Sequence, residues 1–206
     1  MPMAAYIAVV VGAYLIGSIP TGAIVARVYR NVDLTKIGSE RTGATNTARV
    51  LGPGAGLVVL FGDFVKGALA VFLARELVGT DVAMGLAGFA AVLGHTKSVF
   101  IGGKGGRGVV TGLGGLAIAA TGLFAVAALT GCVVAAISRY ISLGSLAGAG
   151  ASIIATMAAY TMGAVSLWLL IYVAATAGYI IIAHADNIAR LRDGTERRVG
   201  GRATGT

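Results

Sequence analysis

Four polar segments carry the residues best suited to chemistry. The first reads Gly38-Ser39-Glu40-Arg41-Thr42-Gly43-Ala44-Thr45-Asn46-Thr47-Ala48-Arg49. Its glycines let backbone N–H groups approach an anion. Ser39, Thr45 and Asn46 add neutral donors, and Arg49 offers a forked, charge-assisted contact to phosphate. A solvated connector with ordinary loop arginines is an equal reading of that composition. The second segment, Gly102-Gly103-Lys104-Gly105-Gly106-Arg107-Gly108, encloses two cations in a glycine run. Such a stretch has no helical propensity. Running into a helix start, it makes an anion site from free N–H groups and the positive dipole end. Lys104, Gly105, Gly106 and Arg107 are therefore candidate phosphate ligands; the alternative is a flexible hinge. A nucleotide P-loop is excluded, because GxxxxGK followed by Ser or Thr is absent.

The third segment contains Ser138, Arg139 and Ser142. These are phosphate donors, or else a helix cap and a snorkelling cation. In the fourth, His184 precedes Asn187 by three residues, which puts both on one face of a continuing helix. Histidine is the side chain best suited to move a proton near neutral pH; an interfacial His at a helix end is the plainer reading. His95, beside Gly94, is either a second proton-handling group or a structural donor. Asp63 and Lys66 sit three apart inside an apolar run and read first as a structural ion pair. Cys132 is the single cysteine, so no intrachain disulfide forms, and no carboxylate cluster suggests a metal or other cofactor.

These segments need a membrane to hold them. Of 206 residues, 57% are hydrophobic, 12% are charged and 33 are Gly. Mean hydropathy is +0.88. That excludes disorder and leaves too few polar residues to cover a water-soluble globule. Apolar runs lie at about 4–28, 53–79, 82–94, 108–120, 121–137, 143–161 and 164–184. A straight crossing takes ~20 residues. The stretch 108–137 is read as two short helices joined near Ala120–Thr121–Gly122. The expectation is an all-α, polytopic integral membrane protein. It has seven transmembrane helices, short cytoplasmic motif loops and a single membrane-embedded domain over 1–206. No Lys or Arg precedes Arg27, so the first run reads as a retained helix rather than a secretory signal. Runs of small residues such as Gly112-Leu113-Gly114-Gly115 serve close helix packing.

The net charge of +8 points to anionic substrates or lipid rather than nucleic acid in so apolar a chain. Most cations fall in the same four segments: Arg27, Arg30, Lys36, Arg41 and Arg49; Lys97, Lys104 and Arg107; Arg139; and Arg190, Arg192, Arg197, Arg198 and Arg202. Only Lys66 and Arg75 lie elsewhere. With seven spans all four segments share one face, which the positive-inside bias makes cytoplasmic. The N-terminus is then outside and the C-terminus inside.

The motifs Gly17-Ser18-Ile19-Pro20-Thr21-Gly22, Gly38 to Arg49, Asp63-x-x-Lys66-Gly67, Gly94-His95, Lys104 to Gly108, Ser138 to Ser145, His184-x-x-Asn187-Ile188-x-Arg190-Leu191 and Gly194-Thr195-Glu196 occur in order. Together they resemble the bacterial acyl-phosphate:glycerol-3-phosphate acyltransferase (PlsY) family along nearly the whole chain. The resemblance implies a multi-pass enzyme of the bacterial inner membrane. It implies transfer of a fatty acyl group from acyl phosphate to the 1-hydroxyl of sn-glycerol 3-phosphate, giving lysophosphatidic acid and phosphate. An acyl-phosphate-producing enzyme of the same pathway is an implied partner. Lys104, His184 and Asn187 are implied at the reacting centre. Ser39, Thr45, Asn46, Arg49, His95, Gly105, Gly106, Arg107, Ser138, Arg139, Ser142 and Glu196 are implied around the substrates. The sequence departs from the family pattern at Glu40-Arg41, Thr96-Lys97-Ser98, Gly103 and Arg107, which bears on substrate positioning more than on reaction class. The His-x4-Asp pair of acyl-CoA-dependent enzymes is missing, since Phe100 and Ala189 occupy the fifth position after each His. No Gly-x-Ser-x-Gly elbow is present either, so a single displacement without a covalent enzyme intermediate is expected.

Overall fold

The computed structural model describes residues 2–200; Arg202 of the basic tail lies outside them. Among the described residues all regular structure is helical: α1 Met3–Ser18, α2 Thr21–Arg30, α3 Ala44–Leu51, α4 Pro53–Leu77, α5 Asp81–Thr96, α6 Val109–Ala119, α7 Thr121–Ser138, α8 Ile141–Thr161, α9 Leu167–Ala183 and α10 Ala185–Arg192. Short single turns at Leu34–Lys36 and Val99–Ile101 punctuate two of the loops. Large apolar side chains such as Ile7, Phe61, Leu129, Ile154 and Ile182 face outward, as lipid contact requires.

Small residues set the packing, because helices in lipid associate by close approach rather than by hydrophobic expulsion. A methyl group at Gly17 or Gly94 would strike backbone across the α1–α5 contact. Gly67 and Gly114 play the same part between α4 and α6, and Gly144 and Gly148 between α7 and α8.

Five segments are long and apolar enough to cross a bilayer: Met3–Arg30, Pro53–Leu77, Asp81–Ile101, Thr121–Ser138 and Ile141–Thr161. Leu167–Ala183 with Ala185–Arg192, bent by 57°, makes a sixth if the pair is one span. The expected seventh falls on α6, whose 11 residues reach only about 16 Å at ~1.5 Å per residue. Length therefore does not establish seven. The reason is that the glycine run enters the bundle before the helix begins. Gly108 already packs against Val92 and Thr96 of α5, and Thr111 lies against Gly67 in the middle of α4. The chain does break at Ala120 (φ −158°), where two helices were expected to join.

Proline ends α1. At the break before Pro20, the carbonyl of Ser18 accepts from Ser98 Oγ at 2.6 Å, and that of Ile19 from Lys66 Nζ at 3.0 Å. Lys66 lies 2.8 Å from Asp63, and both are buried. The pair is structural, as its spacing implies, and it joins α4 to the break.

Candidate active site

All four polar segments meet at one end of the bundle. The first is folded by its own asparagine. Asn46 Oδ1 accepts from Ser39 N at 2.9 Å, while its Nδ2 donates to the carbonyls of Ile37 and Arg41 at 3.0 and 2.8 Å. Asn46 is buried, and Gly38 (φ 70°) touches its amide. Every one of these bonds stays within the loop, so Asn46 shapes the segment. Ser39, Thr45 and Arg49 remain accessible on the resulting surface. Partial burial and the nearby Arg197, Arg107 and Arg190 push the Arg49 guanidinium below its ordinary value, against the opposing field of Glu196.

The glycine run sits on His95. Gly106 N donates to the His95 carbonyl at 3.3 Å. A Cβ at Gly105 would overlap that carbonyl, and one at Gly106 would overlap His95 Nε2. His95 Nδ1 lies 3.5 Å from Asp63. The His95 side chain is therefore wedged beneath the loop. The N–H of Gly106 is engaged, so the close approach these glycines permit is to the protein itself. Lys104 projects into solvent. Arg107 Nη2 donates to Asp186 at 2.7 Å, while its buried Nε has no partner among the described residues.

Of the third segment only Ser142 enters the cluster, donating to Glu196 at 2.9 Å. Ser138 Oγ donates to Val134 O at 2.6 Å and accepts from Tyr140 N, closing the end of α7. Arg139 (φ 63°) donates to the carbonyl of Val199, whose N–H returns to Arg139 O. Ser138 and Arg139 thus fix a helix end and the tail.

The fourth segment turns at His184. His184 Nδ1 lies 2.7 Å from the carbonyl of Ile180. A carbonyl only accepts, so Nδ1 carries the hydrogen and Nε2 keeps its lone pair. Asn187 Nδ2 donates to Glu196 at 2.8 Å, and Asn187 Oδ1 is buried without a partner among the described residues. Arg190 Nε donates to the other Glu196 oxygen at 2.8 Å. Burial raises the Glu196 carboxyl, but the bonds from Arg190, Asn187 and Ser142 outweigh it and hold the group below its ordinary range. Glu196 therefore ties α8, α10 and the tail into one cationic, donor-rich surface.

Two residues of this surface carried little signal in the sequence. Asp186 balances both Arg107 and Arg190, the latter at 3.3 Å, and only its i,i+4 spacing to Arg190 announced it. Arg197 is recognisable only as tail charge. Beside the cluster opens an apolar cavity of about 250 Å³ between α6, α7, α8 and α9. It runs from Val109 and Ile141, next to the glycine run and Ser142, to Leu116, Ala127, Ser152 and Tyr172. No group of three or more potential metal ligands occurs among the described residues.

The family described as Glycerol-3-phosphate acyltransferase matches residues 7–194. A glycerol-3-phosphate acyltransferase of Thermus thermophilus is 43% identical over 191 residues, covering 93% of this chain and 94% of its own. One from Jannaschia sp. is 43% identical over 188 residues, 91% of this chain and 90% of its own. Crystal structures of PlsY, an integral membrane glycerol 3-phosphate acyltransferase, superpose with TM-scores of 0.87 for its glycerol 3-phosphate form and 0.85 for its lysophosphatidic acid form. Both are 34% identical; each covers 95% of this chain, which in turn covers 96% and 95% of theirs. With the helical membrane fold and the gathered motifs, these matches show that the chain belongs to the PlsY glycerol-3-phosphate acyltransferase family and is a multi-pass membrane acyltransferase of phospholipid synthesis.

Proposed function

We propose that the acyl donor is a fatty acyl phosphate, and that the chain transfers its acyl group to the 1-hydroxyl of sn-glycerol 3-phosphate. The products are lysophosphatidic acid and inorganic phosphate. The observation that carries this reading is the apolar cavity beside a cluster of Arg49, Arg107, Ser142, His184 and Asn187, with Lys104 on the adjoining glycine run. Two phosphorylated reactants need cations, and a fatty chain needs a dry slot. The glycerol 3-phosphate and lysophosphatidic acid forms of the related PlsY support the same pair of ligands.

The donor is a mixed anhydride with phosphate as leaving group. The alcohol oxygen adds to the carbonyl carbon, the anhydride C–O bond breaks and phosphate departs with its electron pair. Alignment and charge stabilisation are the protein's main tasks. The hydroxyl proton has two acceptors, His184 Nε2 and a substrate phosphate oxygen. A large loss of rate in His184→Ala assigns it to the histidine, and a small one to phosphate.

The gathered cations support a cytoplasmic position for this end in the bacterial inner membrane. On that reading, with seven spans, the N-terminus lies outside and the C-terminus inside. An enzyme of the same route supplies the acyl phosphate.

The test gives purified protein labelled glycerol 3-phosphate with lauroyl phosphate, and separately with lauroyl-CoA. Labelled lysophosphatidate from the first alone is expected. Product only from the thioester would overturn the donor assignment. No product from either, with uptake of label into vesicles, would replace it with transport.

A further inference from the structure

Two buried residues with polar groups lie deep in the lining of the apolar cavity. Tyr172 and Thr176 both line it, and both are more than nine-tenths buried. Neither the Tyr172 hydroxyl nor Thr176 Oγ1 has a hydrogen-bond partner among the described residues. The Tyr172 ring is held across the bundle: its edge and oxygen meet Gly88 of α5, and the oxygen also meets Gly115 of α6. Leu116 and Ala127, also buried, complete that end. Beyond it the core closes with Phe89, Leu123, Phe124 and Leu169.

Three helices give the same depth. From His184 to Tyr172 in α9 is about 18 Å at ~1.5 Å per residue. From Ile141 to Ser152 in α8, and from Ser138 to Ala127 in α7, is about 16 Å on the same scale. An all-trans chain advances roughly 1.25 Å per carbon, given C–C bonds of about 1.5 Å. The slot therefore takes about 14 carbons before the methyl end meets the phenol ring.

We infer that Tyr172, with Thr176 one turn nearer the site, sets the upper limit of acyl-chain length, as specificity-determining residues at the floor of the slot. This rests on the acyl-transfer reading above. A donor arriving from the bilayer gains little by moving a methylene from lipid into an equally apolar slot. The profile of rate against chain length is thus flat until the floor is reached and then falls. The ring opposes a longer chain by its volume, while its hydroxyl lies away against Gly88 and Gly115.

The experiment offers saturated acyl phosphates of 10 to 20 carbons, at equal mole fraction in nanodiscs, and reads lysophosphatidate formation. In the unaltered protein kcat/KM falls at least about tenfold beyond the edge. Tyr172→Ala moves the edge to longer chains by two or more carbons. Thr176→Phe moves it about four carbons shorter, one helical turn. Tyr172→Phe keeps the ring and leaves the edge in place. Opposite shifts do not arise from partial unfolding, and the Tyr172→Ala arm stands alone if Thr176→Phe does not fold. A profile flat to 20 carbons, or an edge unmoved in Tyr172→Ala, overturns the inference while leaving the acyl-transfer reading intact. No product at any length overturns both.

Discussion

Replacing Gly105 by alanine tests the support of the glycine run by His95. The added Cβ would overlap the His95 carbonyl and lie 2.8 Å from the Thr96 carbonyl oxygen and 2.9 Å from its carbon. These are backbone atoms at the end of α5, so no rotamer relieves the contact. The loop itself must rise by roughly 1 Å to restore ordinary separation, and misplacement on that scale costs about 100-fold in rate. Overpacking adds about 1–3 kcal/mol of destabilisation. Gly102→Ala is the matched control. Gly102 has φ 61° and nothing within 4 Å, so alanine there meets only backbone strain, about 1 kcal/mol. Lysophosphatidate formation and melting temperature in detergent, measured on both variants, give the comparison. Gly105→Ala should lose about two orders of magnitude in kcat/KM while remaining folded, and Gly102→Ala only a few-fold. Wild-type kinetics in Gly105→Ala, or equal losses in the two, would refute the argument that the loop is held from below.

Asp63→Asn leaves Lys66 charged and unpaired in the membrane, so stability should fall by about 3–5 kcal/mol; adding Lys66→Met should recover part of it in the same melting assay. Arg49→Ala and Lys104→Ala should each raise KM and cut the rate strongly in a folded protein, and unchanged kinetics would remove either from the site. The fold favours the ionised form of Glu196. The stability this residue adds is complete above its ordinary value of 4.5 and is lost as pH falls through the lower folded value. Melting temperature should therefore drop more steeply below pH 4.5 in the unaltered chain than in Glu196→Gln.

The charge pattern and the order of motifs made the membrane class, the joint near Ala120 and the gathering of four segments readable from the sequence. Side-chain direction was not. Asn46, Ser138 and Arg139 are the residue types a phosphate site uses, yet nearby backbone groups claim them. Those groups come into reach only once the loops are folded. His95 presented the same ambiguity, and its wedging under Gly105 and Gly106 depends on α5 meeting a loop that follows it in the chain. The shortness of α6 was legible, because 108–137 is too brief for two full crossings; what stayed hidden was how far the glycine run enters the bundle before α6 begins.

The break after α1 has a consequence for biogenesis. Its partners are Lys66 and Ser98, 47 and 80 residues further along. The Ile19 carbonyl also accepts from Thr21 N at 3.0 Å, so it has a mate from the start, whereas the Ser18 carbonyl takes its bond from Ser98. The first segment can therefore enter the bilayer early, but the hydrogen bonding at its break is complete only when the third arrives.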